Sequence, residues 1–395
     1  MMAQPAFRQC FSYVLALCIV GVPVSMRGLV TLNDGHDRIY VNGNVSMGRD
    51  SNIFTNSDNI GDYVYTSALS AEYTRRAGWI SVNGRASVTS SRFASLKGQD
   101  FNNPSLGLEF NKQSGRTTGT LTLSATRESR ADAAVNTRST SWNVPVGLNL
   151  KYPISGTYTL VTGFDYMSRK YLDEEAFKSL RTYSASIDLI HVWTNERDIS
   201  AAYRYRHSQT GVVSSNTDHM FSLGLTGKLI RGINGSLKLG YQHSTSEGPA
   251  RLPPFNGWTI SSPVTFPFGS KKLNLSGSFA KDLTITATGA IVDTTTVTFD
   301  TKYVPIARWT ILAALVFGDS RYLGESGRVV LAPGPPEILG ARRHDDYITA
   351  STSLNYSLSE KLKASLAYSW FKNWSTISYG DFVRASWTMT ASTRW

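Results

Sequence analysis

A chain of 395 residues is long enough for one large β domain or for two or three ordinary ones, and a hydrophobic share of 41% is too low for a helical membrane bundle. Its charged share of 17% lies below the roughly 25% of an ordinary soluble domain. Gly, Ser, Thr and aromatic residues, the material of strands and turns, are plentiful. The net charge of +11 raises nucleic acid as a partner, but the basic residues are scattered, with no basic cluster, helix-turn-helix or zinc-finger spacing, and nucleic acid is set aside.

The chain opens MMAQPAFRQCFSYVLALCIVGVPVS, with Arg8 ahead of an apolar run over 10–24 and the small Ser25 behind it. The run is shorter than the about 20 residues of a spanning helix, and its order is that of a secretory signal peptide over residues 1–25. Cys10 and Cys18, the only cysteines, both fall inside it. The mature chain is therefore expected without a disulfide, a thiolate metal site or a cysteine nucleophile. Residues 26–37 read as a short periplasmic lead, too brief for a plug, and residues 38–395 as one domain.

From residue 38 a single rhythm takes over. In NVPVGLNLKY, Val144, Val146, Leu148, Leu150 and Tyr152 alternate with Asn143, Pro145, Gly147, Asn149 and Lys151, and TLTLSAT, SLKLGYQ and KLNLSGSF repeat the pattern. Period two is the signature of a strand with one apolar and one polar face. It predicts strands over 38–49, 62–74, 79–93, 104–112, 116–128, 139–152, 157–170, 180–193 and 198–209. It continues over 217–229, 234–246, 256–266, 271–284, 294–304, 308–321, 344–357, 361–375 and 381–395. The count is about 18, with 16 as the alternative, and the pattern is most blurred over 256–304, around Pro263. Connectors alternate between short (QSG, PISG, NER, GIN, FGS, SLSE) and long (RDSNIFTNSDNIG, SLKGQDFNNP, ESRADAAVNTR and the Pro-rich stretch over 323–343).

A soluble sandwich would bury the apolar face inward; a membrane barrel turns it to lipid and keeps the polar face toward water. Three features favour the barrel. The strands run to about 10–15 residues, well beyond the usual five or six. Aromatics cluster at strand ends: Tyr73, Trp79, Tyr152, Tyr158, Trp193, Tyr303 and Trp309 by the short turns, and Tyr166, Tyr171, Tyr205, Tyr241, Trp370 and Phe382 by the long loops. The polar face, rich in Ser, Thr, Asn, Gly and charge, would make a poor soluble core. The expected fold is all-β: a single transmembrane antiparallel up-and-down β-barrel with short periplasmic turns and longer extracellular loops, set among the lipids of a bacterial outer membrane.

The last strand, VRASWTMTASTRW, keeps the alternation to its end. Trp387 and Trp395 on its apolar face fit a terminal assembly signal read by the barrel-assembly machinery, with Trp395 in the periplasmic aromatic belt. Near the other end, RDSNIFTNSDNIGDYVYTSALSAEY, residues 49–73, joins an opening strand through D-S-N-I-F and a polar loop to a second strand. This arrangement resembles the β-barrel porin 2 family, whose members include outer-membrane proteins encoded with exopolysaccharide synthesis and export systems. The resemblance covers the mature chain in architecture. It implies a porin-like role and, more remotely, polysaccharide-export components as partners; it carries over no catalytic residue.

Alternation assigns Arg85, Lys151, Arg204, Arg206, Lys228, Lys238, Lys302, Lys363, Arg384 and Arg394 to the lumen, against Glu72, Glu109, Asp165, Asp188 and Asp300. Excess positive charge in a narrow pore favours anions. Arg85, Arg204, Arg206 and Lys238 should lie nearest mid-wall, with Asp165 and Asp188 paired to lumen arginines. In the long 323–343 loop, Arg328, Arg342 and Arg343 surround the stiff APGPPE core, and the loop either narrows the pore or stays in solvent. The six histidines show no metal-ligand spacing, and neither a G-x-S-x-G elbow nor a Walker loop occurs. No catalytic, metal or cofactor residue is therefore assigned. The expected function is passage of small hydrophilic, anionic solutes or help in exopolysaccharide export. The alternatives are a non-conducting adhesion barrel or an outer-membrane hydrolase with a site assembled on the wall.

Overall fold

The computed structural model describes residues 30–76, 78–133, 136–173, 177–211, 214–230, 232–247, 254–266, 272–285, 291–323 and 343–395. The expected signal peptide lies outside them. The first strands are β1 (Val30–Leu32), β2 (Asp37–Asp50), β3 (Asp62–Arg75), β4 (Ser81–Phe93), β5 (Phe101–Lys112), β6 (Thr118–Asp132) and β7 (Thr137–Pro153). Next come β8 (Tyr158–Tyr171), β9 (Leu180–Thr194), β10 (Arg197–Thr210), β11 (Ser214–Ile230), β12 (Ile233–Glu247) and β13 (Phe255–Phe266). The wall is completed by β14 (Leu273–Ile285), β15 (Ile291–Tyr303), β16 (Trp309–Leu323), β17 (His344–Ser357), β18 (Leu362–Ser375) and β19 (Phe382–Arg394).

Each strand from β2 onward pairs antiparallel with its successor, and β19 returns to β2, so eighteen strands close a barrel and β1 is an extra. The blurred 256–304 stretch supplies three of these strands in regular register. The shortest wall strands have 12 residues. At about 3.3 Å per residue and a tilt near 40° they rise about 30 Å, enough to clear the about 25 Å apolar band of an outer-membrane barrel. Eighteen strands at that spacing and tilt enclose a backbone ring about 35 Å across.

The seam shows how the wall abolishes its edges. β19 pairs with Asn42–Asp50 of β2. The Trp395 backbone then exchanges both hydrogen bonds with Val41, at 2.8 and 2.9 Å. Below that point the edge of β2 is taken by β1, through Asp37–Ile39. This small strand lies in the 26–37 stretch expected as a short periplasmic lead.

The outer face carries Leu69, Leu106, Ile187, Phe221, Leu223, Phe299, Phe317, Leu366 and Met389, all exposed. The lumen face of the same strands carries Ser, Thr, Asn and charge. Apolar outside and polar inside is the reverse of a soluble core, and the molecule is an outer-membrane β-barrel. Both strand ends at the seam sit with the short turns, the periplasmic side.

The apolar core is not in mid-wall. Among the described residues the buried apolar side chains are Ile53, Phe93, Tyr171, Phe177, Leu180, Leu283, Ile291, Val292, Ile377 and Phe382, all at the extracellular end. Tyr171 and Phe382, expected in the lipid-facing aromatic belt, instead point inward and are 2% exposed. The period-two count cannot tell a strand that ends at the headgroups from one that rises past them into a packed mouth. The stretch ESRADAAVNTR, expected as a loop, continues instead as paired strand out to Asp132 and Thr137.

Candidate functional site

Register fixes which side chains share the lumen. Arg206 of β10 stands opposite Asp218 of β11, and its Nε donates to Asp218 Oδ2 at 2.6 Å. The Asp218 side chain is 1% exposed, and the guanidinium, helped by Asn216 Nδ2 donating to Oδ1 at 2.9 Å, makes a carboxylate tolerable there. Arg206 Nη2 also donates to the Leu283 carbonyl at 2.9 Å, and Arg204 Nη2 lies 3.4 Å from Asp282 Oδ1. Lys238 of β12 reaches across to Asp188 of β9 at 2.7 Å. Arg85 lies 3.7 Å from Glu72, which also accepts from Arg394 at 3.1 Å. Lys228 pairs with Glu196 and Arg384 with Asp50.

The mid-wall basic row is therefore neutralised in place. Lys151, Lys302 and Lys363 form no ion pair among the described residues, and Glu109, Asp165 and Asp300 on the same face form none either. Asp188 has a lysine for its partner, and Asp165 meets no arginine among the described residues. Asp218 and Asp282 are the acids that sequence reasoning missed. Asp218 was readable by counting back in twos from Ser222 and Met220; Asp282 lies in the blurred stretch and acts on β10 only through the way its hairpin leans.

That lean belongs to the mouth. β14 pairs with β13 only as far as Lys281, and beyond it Asp282–Ile285 pairs with β15 alone. The freed hairpin end bends over the lumen until Asp282 meets arginines four strands away. A second overhang rises opposite. β5 leaves β6 at Thr126 and β8 leaves β7 at Ser141, while β6 and β7 stay paired beyond both points. At the tip of this ribbon Asn136 donates to the Thr55 carbonyl at 2.8 Å, and Tyr379 Oη donates to the Asn136 carbonyl at 3.2 Å. Arg138 lies 5.1 Å over Phe93 and 5.6 Å over Phe101.

Three other elements receive these overhangs. The D-S-N-I-F run locks the seam: Arg384 of β19 clasps Asp50 through Nε at 3.0 Å and Nη2 at 2.5 Å, and Ser51 Oγ accepts from the Ala385 N–H at 2.8 Å. Asn52, fully buried, donates to the Asn56 carbonyl at 2.7 Å, Asn59 Oδ1 at 3.0 Å and the Val383 carbonyl at 3.3 Å. Farther round, Tyr347 lies over Gly318, where any Cβ would meet its ring at 2.0 Å. Its ring stacks toward Phe371 and Phe371 toward Phe382. Arg343, one of the expected constriction residues, is clamped to Asp345, stacks 4.5 Å over Tyr322 and donates to the Ala133 carbonyl at 3.1 Å. Arg328 and Arg342 lie outside the described residues.

The other half of the lumen is open. A cavity of about 580 Å³ is lined along β14–β19 by Asn274, Ser276, Asp300, Lys302, Ser351 and Ser369 among other small residues. Short hydroxyls leave room, and each keeps a donor and an acceptor for a solute or water.

On the outer face, His344 Nε2 lies 2.6 Å from Asp319 Oδ2 and 3.7 Å from Asp346 Oδ1, and Arg321 Nε lies 3.2 Å from Asp319 Oδ1. A carboxylate–imidazole pair at the lipid boundary is half of a hydrolase site. Its other half is missing among the described residues, since the His344 ring bonds no hydroxyl. Trp387 faces outward against Tyr63 at 6.5 Å, and the Trp395 ring carries Lys361 Nζ at 4.8 Å.

No protein-family profile matches the chain, nor does any characterised protein. Solved structures of similar shape include Pseudomonas aeruginosa OpdL, at 12% identity and a TM-score of 0.49 over 91% of this chain and 98% of that one. P. aeruginosa OccK2 (OpdF), solved in complex with glucuronate, gives 10% identity and 0.49 over 91% and 97%. The siderophore receptor PirA of the same organism gives 9% identity and 0.45 over 90% and 80%. Similarity this distant leaves function to this chain's own residues.

Proposed function

We propose that the chain is a porin-like channel of the outer membrane that passes small hydrophilic solutes. The observation that carries this reading is the closed eighteen-strand wall with a polar inner face, which opens on its periplasmic half into the hydroxyl-lined cavity. Passage needs no catalytic residue and no cofactor: short polar side chains replace part of a solute's hydration, and the wall excludes lipid. With Arg204, Arg206 and Lys238 held by acids, these residues contribute little net field, and any anion preference has to arise elsewhere in the lumen. Insertion would use the barrel-assembly machinery through the Trp387–Trp395 face. Assistance to exopolysaccharide export is supported by the family resemblance alone.

A second reading, a non-conducting barrel whose loops bind an external partner, is favoured by the packed mouth. One experiment separates the two. The mature chain, refolded in detergent and inserted in a planar bilayer, is expected to give discrete conductance steps. A barrel that folds and inserts but never conducts would move the assignment to the adhesion reading.

A further inference from the structure

Away from the paired mid-wall, lumen cations also gather in a cleft whose lining holds no acid. At the periplasmic mouth beside the seam, a cleft of about 270 Å³ is lined by Gly35, His36, Arg38, Tyr40, Thr74, Arg76 and Arg394. Three of the seven are arginines, and none is acidic. Arg38, Tyr40, Thr74 and Arg394 all belong to the lumen-facing set of β2, β3 and β19.

The guanidiniums are underused. The Arg76 side chain has no hydrogen bond or ion pair among the described residues. Arg38 makes one long contact, from Nε to the Gly35 carbonyl at 3.4 Å. Arg394 lies 4.4 Å over the Tyr40 ring and gives only Nη2 to Glu72, which it shares with Arg85. Two other acids are near. Asp37 is buried on the opposite face of β2, held by Tyr73 at 3.2 Å and Arg75 at 3.8 Å. Asp34 stands exposed on the preceding turn, outside the cleft lining. Like charges crowded on neighbouring strands are unfavourable, and planar guanidinium forks match carboxylate and phosphate oxygens in pairs.

We propose that this cleft binds a small free anion bearing carboxylate or phosphate groups, and that it is the charge-selecting element of the channel. The proposal deepens the channel reading and rests on it for the anion's passage, although binding itself needs no conduction. The volume is below that of a drug-sized pocket and holds roughly nine water volumes, which suits a phosphate or small dicarboxylate with part of its hydration. The lumen-side placement favours a solute over a lipid headgroup, which would approach from the outer face.

The test uses the mature barrel refolded in non-ionic detergent and titrated calorimetrically with inorganic phosphate and with succinate. Saturable binding is expected, weakened about tenfold in Arg76→Gln and in Arg38→Gln, and changed less than about twofold in Arg85→Gln. Glutamine keeps a polar, uncharged side chain, and the Arg76 side chain makes no hydrogen bond or ion pair among the described residues, so loss of fold is controlled by the unchanged heat-modified gel mobility. In bilayers, Arg76→Gln should shift the reversal potential toward zero. A conducting wild type that binds neither anion overturns the proposal and spares the channel. Binding without conduction keeps the site and removes the channel. Binding that appears only with phosphatidylglycerol vesicles, and with neither free anion, overturns the solute assignment in favour of a lipid headgroup.

Discussion

The two halves of this barrel share one wall and one strand rhythm, yet they are different materials. The extracellular half is packed. Overhanging hairpins, a fully buried Asn52, a 1%-exposed Asp218 carboxylate and apolar residues such as Phe93 and Phe382 close over the lumen. The periplasmic half is open, and its cavity is lined largely by Ser, Thr and Ala with Asn274, Asp300 and Lys302. In the packed half a polar group has to find a protein partner or sit unsatisfied; in the open half water is always a substitute. The same substitution should therefore cost much more above the middle of the wall than below it.

The largest contrast is expected between Arg206→Ala and Lys302→Ala. Removing Arg206 strands the buried Asp218 carboxylate, at a cost of about 3–5 kcal/mol, a hundredfold or more in the folding equilibrium. Lys302 forms no ion pair among the described residues, and its loss should stay within about 0.5 kcal/mol. Urea unfolding of the refolded barrel, followed by tryptophan fluorescence, reads both. Adding Asp218→Asn to Arg206→Ala should recover more than half of the loss, as expected when the damage is an uncompensated charge. Equal losses for Arg206→Ala and Lys302→Ala would mean the two halves do not differ in the way described.

The contrast also explains what could be seen in the sequence. The eighteen wall strands were legible because lipid on one side and water on the other impose period two on each of them, including the stretch around Pro263. The direction of each side chain followed, so Arg204, Arg206 and Lys238 could be placed inward from alternation. Partnership could not. Lys238 meets Asp188 across three strand spacings, and Arg204 meets Asp282 because a hairpin leaves the wall, events with no local signature. Tyr171 and Phe382 were misplaced for the same reason: an aromatic near a strand end looks alike whether headgroups or a packed mouth surround it. The run D-S-N-I-F stood out as a motif, but only the seam shows its work, tying the first wall strand to the last.

Asn52 tests that work at smaller scale. Asn52→Ala removes donors to Asn56, Asn59 and Val383 inside a dry site, at a cost of about 1–3 kcal/mol. Because the loss falls on the 51–61 loop and not on the wall, protease clipping there should quicken roughly tenfold while the barrel keeps its heat-modified mobility. An Asn52→Ala barrel clipped no faster than wild type would show that the loop is held by its apolar neighbours, Ile53 above all.

Next in size is conductance. Glu128 and Ser141 are register partners, so residues 129–140 can be replaced by Asn-Gly, whose type I′ turn closes a hairpin directly. Removing this overhang takes Asn136, Arg138 and their contacts out of the mouth and should raise single-channel conductance roughly two- to threefold. An unchanged value would place the resistance of the pore below the mouth and undo the idea that the packed half is the constriction.

The smallest effect belongs in the open half. Ser369 and Ser386 face each other across β18 and β19 with their hydroxyls 2.8 Å apart, where the open cavity reaches the middle of the wall. If water stands in for either partner, Ser369→Ala should change stability by less than about 0.5 kcal/mol and conductance by less than about a fifth. The same hydroxyl pair in the mouth would not be so easily replaced. Thr66 and Ser91, also 2.8 Å apart, provide the control: Ser91 is 3% exposed, and Ser91→Ala should cost about 1 kcal/mol more than Ser369→Ala. Two bonds of one length and one chemistry would then differ only in whether water can reach them.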